Sequence, residues 1–328
     1  MNQGNRKARQ PFRVAWSKER LVHERAIALG NVIDKSTLSN YSSALNSYLN
    51  FVKLHDLPVD PTPDTLSLFT VYMCHHINPR SVNTYLSGVS QQLETHFPGV
   101  KEARNSTLVR RTLQGCMRMR GTATVRKRAL TTDDLHLVVK HYSNSNHHDD
   151  LLFVAMLFTG FFGLLRLGEL AFPNDTSLHN WKKVTRRNTV KILQHQYEFL
   201  LPGHKADRYF EGNRIIIPAH RFNHHPLNHF SKYVESRDTL HPVASPLWLT
   251  EAGEVPTRSF FVSRLRLFFQ RDVAGQSMRA GGATVLAEHG VSPAIIQASG
   301  RWASEAFLVY IRKNPTLLQG FLHTPQAP

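Results

Sequence analysis

The chain has little cysteine, few acids and no long apolar run. Its two cysteines, Cys74 and Cys116, share no metal-ligand spacing and have no companions for a disulfide framework. That fits a reducing compartment and leaves both as small packed hydrophobes. No stretch of about 18 apolar residues occurs, so no helix is expected to span a bilayer. No helical stretch pairs a basic face with a wholly apolar one, which removes surface attachment to anionic membrane as a reading. The segment Met1 to Arg13 is polar and basic without an apolar core; it reads as neither a secretory signal nor an anchor, and the expectation is an intracellular protein. Neither HExxH nor a paired-cysteine spacing accompanies the two histidine-rich places, His147-His148-Asp149-Asp150 and the group His220, His224, His225 and His229. A zinc enzyme or zinc-dependent fold therefore stands as an alternative without its usual ligand pattern, and no metal is expected. No internal repeat and no low-complexity segment is visible.

What is present is length, apolar content and positive charge. At 328 residues, 41% of them hydrophobic, the chain exceeds what one ordinary core covers, and two domains are the expectation. Forty Lys and Arg against 24 Asp and Glu give a formal net charge of +16, a field that concentrates polyanions and makes nucleic acid the first partner to consider. The excess is uneven. Residues 1 to 128 hold 19 basic and 8 acidic side chains, whereas residues 129 to 328 hold 21 and 16. Within the front part, residues 101 to 128 carry 9 basic side chains with Glu102 as the one acid, and end in Gly121-Thr122-Ala123-Thr124-Val125-Arg126-Lys127-Arg128, which reads as a basic linker.

Ahead of that linker the periodicity is helical. Leu38, Tyr41, Leu45, Tyr48, Leu49 and Val52 recur at three and four residues after Ser36-Thr37 as caps, and Pro58, Pro61 and Pro63 end the helix. A second helix is expected from about Thr65 through Met73, stopped near Asn78-Pro79. A third follows Arg80-Ser81 with Val82, Tyr85, Leu86 and Val89 on one face, and a fourth covers roughly Ser106 to Met117. After the linker, Thr131-Thr132-Asp133-Asp134 starts a helix with a capping-box pattern and acids in its first turn. The rear part is mostly helical except for Thr189 to Pro218. There Thr189-Val190-Lys191-Ile192 and Arg214-Ile215-Ile216-Ile217 are β-favouring runs around turn-rich Pro202-Gly203-His204-Lys205-Ala206-Asp207 and Glu211-Gly212-Asn213, a small inserted sheet.

Three segments could carry chemistry. Arg166 lies in the apolar run Thr159-Gly160-Phe161-Phe162-Gly163-Leu164-Leu165-Arg166-Leu167-Gly168-Glu169. A guanidinium there stays charged and must meet an anion; Glu169 and a phosphate both qualify. Gln276-Ser277-Met278-Arg279 leads into Ala280-Gly281-Gly282-Ala283, small residues that let a backbone or ligand come close. The third segment is Gly300-Arg301-Trp302-Ala303-Ser304-Glu305-Ala306-Phe307-Leu308-Val309-Tyr310. Read alone, Tyr310 is a core residue with a wet hydroxyl.

In this order and at about these distances, the three segments resemble the tyrosine recombinase family of phage integrases and Cre-like enzymes. That family's first box, Thr-Gly followed by Arg and an acid, is matched by Thr159-Gly160, Arg166 and Glu169. Its second, His-x-x-Arg, is matched by Gln276-Ser277-Met278-Arg279, and its third, Gly and a His or Trp before the tyrosine, by Gly300, Trp302 and Tyr310. The family's β-turn lysine falls on Lys205. The Gly-Arg-Trp-Ala-Ser-Glu-Ala-Phe stretch is most similar to the Crypton or DIRS type of eukaryotic mobile element. Two departures stand out. Gln276 replaces the usual histidine, and the Trp302-to-Tyr310 spacing is eight, one less than in bacterial and phage members.

The resemblance implies a mainly α fold: a basic disordered arm over residues 1–15, an all-helical SAM-like core-binding domain over 16–120, a linker over 121–129 and a mostly α catalytic domain with its small sheet over 130–328, together a C-shaped DNA clamp. It implies site-specific recombination or DNA integration through a 3′-phosphotyrosyl intermediate on Tyr310, with no cofactor. Arg166 and Arg279 would hold the phosphate, Lys205 would protonate the leaving oxygen, Trp302 would donate its indole N–H, and Gln276 would only position. Arg80, Arg104, Arg110, Arg111, Arg126, Lys127 and Arg128 are expected to contact the DNA backbone. Partners would be double-stranded DNA and further copies of the chain in a synaptic tetramer. The apolar stretch Leu317 to Leu322 would dock on a neighbour or fold back. A eukaryotic source would place the protein in the nucleus. Rival readings are an inactive recombinase-derived DNA-binding protein, for which Gln276 argues, and a topoisomerase IB-like relaxing activity.

Overall fold

The structure is a computed structural model that describes residues 14–30, 32–123, 125–203, 211–304, 307 and 308. The chain divides into two compact units after residue 124. The arm at residues 1–13 and the stretch Leu317 to Leu322 lie outside the described residues.

The front unit is helical, as its periodicity dictates: α1 (Lys18–Gly30), α2 (Lys35–Leu54), α3 (Pro63–His76), α4 (Pro79–Leu93), α5 (Val100–Asn105) and α6 (Thr107–Arg120). Side-chain caps set three of the starts. Thr62 accepts a hydrogen bond from the Thr65 backbone N–H, Asn78 from that of Arg80, and Ser106 from that of Val109. Pro63 and Pro79 sit in the first turn, where a missing N–H costs nothing. Pro63 thus opens α3 rather than ending α2, which closes at Leu54, and α2 starts at Lys35, so that Ser36 and Thr37 lie inside its first turn. Helix α5 was not expected, and α1, an expected part of the domain only in outline, buries none of its residues. The core is Tyr48, Phe51, Phe69, Val82, Leu86 and Val89 with their neighbours. A Cβ on Gly88 would lie 2.8 Å from that of Ala44, so glycine is what lets α4 lie against α2.

The rear unit is built around α8 (His148–Phe162), preceded by α7 (Thr132–Tyr142). Thr131 and Asp134 form the expected capping box at the start of α7. Every residue of α8 from Leu152 onward is buried, as a helix apolar on all sides requires. Helices α9 (Pro226–Leu240), α10 (Arg258–Leu265), α11 (Gln276–Glu288) and α12 (Pro293–Gly300) complete it. The inserted sheet is antiparallel with order β1-β2-β3: β1 (Lys191–Ile192), β2 (Gln196–Leu201) and β3 (Asn213–Pro218). Pairs such as Tyr197 with Ile217 and Phe199 with Ile215 place apolar side chains on the face toward the core. Two details differ from expectation. Thr189 closes a 3-10 turn instead of opening a strand, and the central strand β2 falls outside both β-favouring runs.

Candidate active site

The site begins where α8 ends. Gly163 and Leu164 break the helix, with Leu164 in the left-handed region (φ 51°), and the chain reverses into a 3-10 turn at Leu167–Glu169. Arg166 stands just before that turn. Glu169 accepts from the Arg166 backbone N–H (2.9 Å) and from its guanidinium (3.0 Å). The carboxylate is 6% exposed, whereas the Arg166 side chain remains 33% exposed and so keeps a face open to an incoming group.

Helix α11 brings the second arginine. A Cβ on Gly281 would come within 2.1 Å of the Leu130 carbonyl, and one on Gly282 within 2.1 Å of that of Phe161. The small residues therefore permit a backbone-close crossing that puts Arg279, 4% exposed, beneath the turn. Arg279 donates to the Leu164 carbonyl (2.7 Å) and to that of Gly300, at the end of α12. Its guanidinium lies 4.0 Å from the ring centre of Trp302, a cation–π stack. Trp302 folds back over Gly300, where a Cβ would overlap its ring, and packs on Phe307. Gln276 is exposed as the first residue of α11, one turn ahead of Arg279.

Arg301, which none of the three motifs assigns a role, also enters the site. Its side chain is 8% exposed and adopts a left-handed backbone (φ 56°). It donates to the carbonyls of Leu164 (3.0 Å) and Ser299 (3.0 Å) and pairs with Glu169 at 3.5 Å. Burial pushes its pKa down, opposed by Glu169 and assisted by the charge of Arg166. A count of nine back from Tyr310, the spacing of bacterial and phage members, lands on Arg301 and could have flagged it. Two guanidinium groups, those of Arg166 and Arg301, thus face one buried carboxylate, and a third, that of Arg279, shares the Leu164 carbonyl with Arg301, an excess of positive charge suited to an anion.

Lys205 and Tyr310 lie outside the described residues. Tyr233 is a core residue: it donates to the Leu247 carbonyl, accepts from the Leu249 N–H, and burial raises its pKa.

The basic candidates separate by environment. Arg80, Arg110, Arg111 and Arg126 are exposed. Arg104 is half-buried and donates to Ser87 (2.9 Å) and Asn83 (3.3 Å), tying α5 to α4. Lys127 donates to the Arg271 carbonyl (2.5 Å). Arg128 pairs with Asp134 and Asp272, and the hydrogen bond to Asp134 is the main cause of its raised pKa. Among the histidines, His148 bridges Ser236 and the Leu249 carbonyl, and His229 lies on the ring of Phe158 with its pKa brought down to about 4 by burial. Among the described residues no three His, Cys, Asp or Glu side chains gather as metal ligands, and no helix is long and apolar enough to cross a membrane.

No family profile matches the sequence, and no curated protein matches it. Solved structures do. The XerH site-specific recombinase, in a post-cleavage complex with a palindromic difH substrate, is 13% identical with a TM-score of 0.60, over 87% of this chain and 78% of its own. The Tn1549 transposon integrase with circular intermediate DNA is 15% identical with a TM-score of 0.58, over 93% and 98%. A lambda integrase dimer bound to a COC′ core site is 17% identical with a TM-score of 0.53, over 89% and 94%. The chain has the tyrosine recombinase fold.

Proposed function

We propose that the chain is a tyrosine recombinase that cuts and rejoins double-stranded DNA through a 3′-phosphotyrosyl link to Tyr310, without metal or nucleotide. The observation that carries this reading is that Arg279, with Trp302 stacked on it, holds the Leu164 carbonyl of the turn that bears Arg166, more than 100 residues earlier in the chain, at one charged place in a fold of this class.

A phosphodiester gains charge on its equatorial oxygens as a nucleophile adds, so fixed cations stabilise the transition state beyond the ground state. Arg166 has an open face for that task, and Arg279 is held rigid by two carbonyls and an indole ring. The Tyr310 oxygen gives up its proton and bonds to phosphorus as the P–O5′ bond breaks, and the departing 5′-oxygen takes a proton from Lys205 to leave as the hydroxyl. A new hydroxyl reverses the step with no net loss of ester energy. Gln276 offers a hydrogen bond but exchanges no proton near neutral pH. Exposed Arg80, Arg110, Arg111 and Arg126 contact phosphates of the duplex. The working form is a multimer on DNA, as the structurally similar lambda integrase tetramer bound to a Holliday junction would suggest. The resemblance of the stretch around Gly300-Arg301-Trp302 to the Crypton or DIRS type supports a mobile-element role, and with it a nuclear site.

The test is to trap the intermediate: nicked duplexes from a random pool, denaturation, and a search for a DNA-shifted protein band. The parent should form the adduct and Tyr310→Phe should not. DNA retention without any adduct, unrestored by Gln276→His, would replace this reading with the inactive DNA-binding one, which the exposed amide of Gln276 favours.

A further inference from the structure

Glu169 divides its two oxygens. One accepts from the Arg166 guanidinium at 3.0 Å; the other accepts from the Arg166 N–H at 2.9 Å and faces Arg301 at 3.5 Å. A buried carboxylate facing a single guanidinium would close into a neutral pair, a poor attractor for a diester. With a second guanidinium behind it, the group keeps a net positive charge and Arg166 is its outward member.

We propose that Arg301 is a positioning residue for the phosphate site: it shares the charge of Glu169, so that the carboxylate aims Arg166 without neutralising it, and it braces the Leu164 turn that Arg279 also holds. The proposal rests on reading Arg166 and Arg279 as phosphate ligands. Arg301 is an expensive side chain for mere packing. It is nearly buried, and its Nε–H has no hydrogen-bond partner among the described residues. An apolar side chain of similar volume would fill the space at lower cost. The Leu164 carbonyl accepts from both Arg279 (2.7 Å) and Arg301 (3.0 Å), so one backbone atom couples the two buried cations. Trp302, one residue on, is committed to the Arg279 face. The residue nine before Tyr310 is therefore a cation that acts through a carboxylate.

The test compares full-length Arg301→Met, Glu169→Gln, the double variant and the parent, in two measurements. The first needs no DNA: the rate at which phenylglyoxal modifies Arg166, read by peptide mass spectrometry. A guanidinium held by a carboxylate reacts slowly. Arg301→Met leaves Glu169 to Arg166 alone, so modification of Arg166 should slow at least about threefold, and Glu169→Gln should speed it, with or without Arg301. If Arg301 only supported the turn, its loss would expose Arg166 and Arg279 together; faster modification of both would overturn the proposal. The second measurement is adduct formation on nicked duplex. Arg301→Met should lose on the order of 30-fold while DNA retention changes less than about threefold, and the double variant should regain about tenfold. Absence of that rescue would also overturn it. Should Arg301→Met fail to fold, Arg301→Lys keeps the charge without the fork: Arg166 modification should stay within about twofold of the parent, and a larger rise counts against the proposal. A parent that forms no adduct would sink the recombinase reading, while the modification rates would still decide the role of Arg301.

Discussion

Arg279 shows how much of the site depends on the shape of one side chain. Its planar fork reaches two carbonyls and lies flat on an indole, and a lysine has neither the second direction nor the plane. Arg279→Lys should lower adduct formation on the order of 10²-fold and also lower the melting temperature, because an ammonium cannot reach both the Leu164 and Gly300 carbonyls and Leu164 is left with Arg301 alone. Gln276 offers the opposite experiment. Gln276→His places a group that titrates near neutrality one turn ahead of Arg279, and should raise adduct formation by about 10²-fold with a pH dependence near 6.5. A flat response would mean that no proton passes at this position. His229 makes a prediction about stability rather than catalysis. Its folded pKa of about 4 lies below the unfolded value of 6.5, so the unfolded chain takes up the proton first. The stability from its neutral form is complete above pH 6.5 and is lost as pH falls toward 4, on the order of 2–3 kcal/mol. His229→Phe, which keeps the contact with Phe158, should flatten urea midpoints across that window.

At the scale of elements, α11 is where local sequence and global packing meet. Gly281 and Gly282 look like poor choices for a helix, yet each stands where a methyl group would strike a carbonyl of another segment. Gly281→Ala or Gly282→Ala should cost about 1–3 kcal/mol by denaturant unfolding, and should reduce adduct formation further because Arg279 rides on this helix. The helices were legible because 3.6-residue periodicity, caps and prolines are local: Thr62, Asn78 and Thr131 all act within three residues. Strand β2 was not legible. Tyr197, Phe199 and Leu201 do alternate inward, but Leu200 points out at 41% exposure and Phe199-Leu200-Leu201 reads as an unbroken apolar run next to a Pro-Gly turn. Buried Glu198, paired with Arg214 on the neighbouring strand, blurred the pattern again. Arg166 and Arg279 could be named from sequence because a charge in an apolar or small-residue run stands out. For Arg301 the one sequence signal is its place nine before Tyr310, since its partners Leu164 and Glu169 lie over 130 residues away and nothing in its own composition marks the contact.

Across the whole molecule, the charge available to a duplex is smaller than the composition suggests. The basic linker looked uniform in sequence, yet Arg128 is taken up by Asp134 and Asp272, and Lys127 by a carbonyl, whereas Arg110 and Arg111 on α6 are exposed. Counterions condense on phosphates, and each phosphate contact releases about one of them, so the salt dependence of binding counts the contacts that a variant has lost. Charge reversal at Arg110 and Arg111 together should weaken retention of a mixed-sequence duplex and reduce the slope of log affinity against log salt by about 2. Arg128→Gln should leave that slope unchanged and instead lower the melting temperature, since two carboxylates lose their partner. Fluorescence anisotropy over a salt series, beside thermal unfolding of the same variants, separates the two. A slope that drops for Arg128→Gln and not for the α6 pair would reverse the assignment, and would mean that the linker arginine exchanges Asp134 and Asp272 for phosphate when DNA binds.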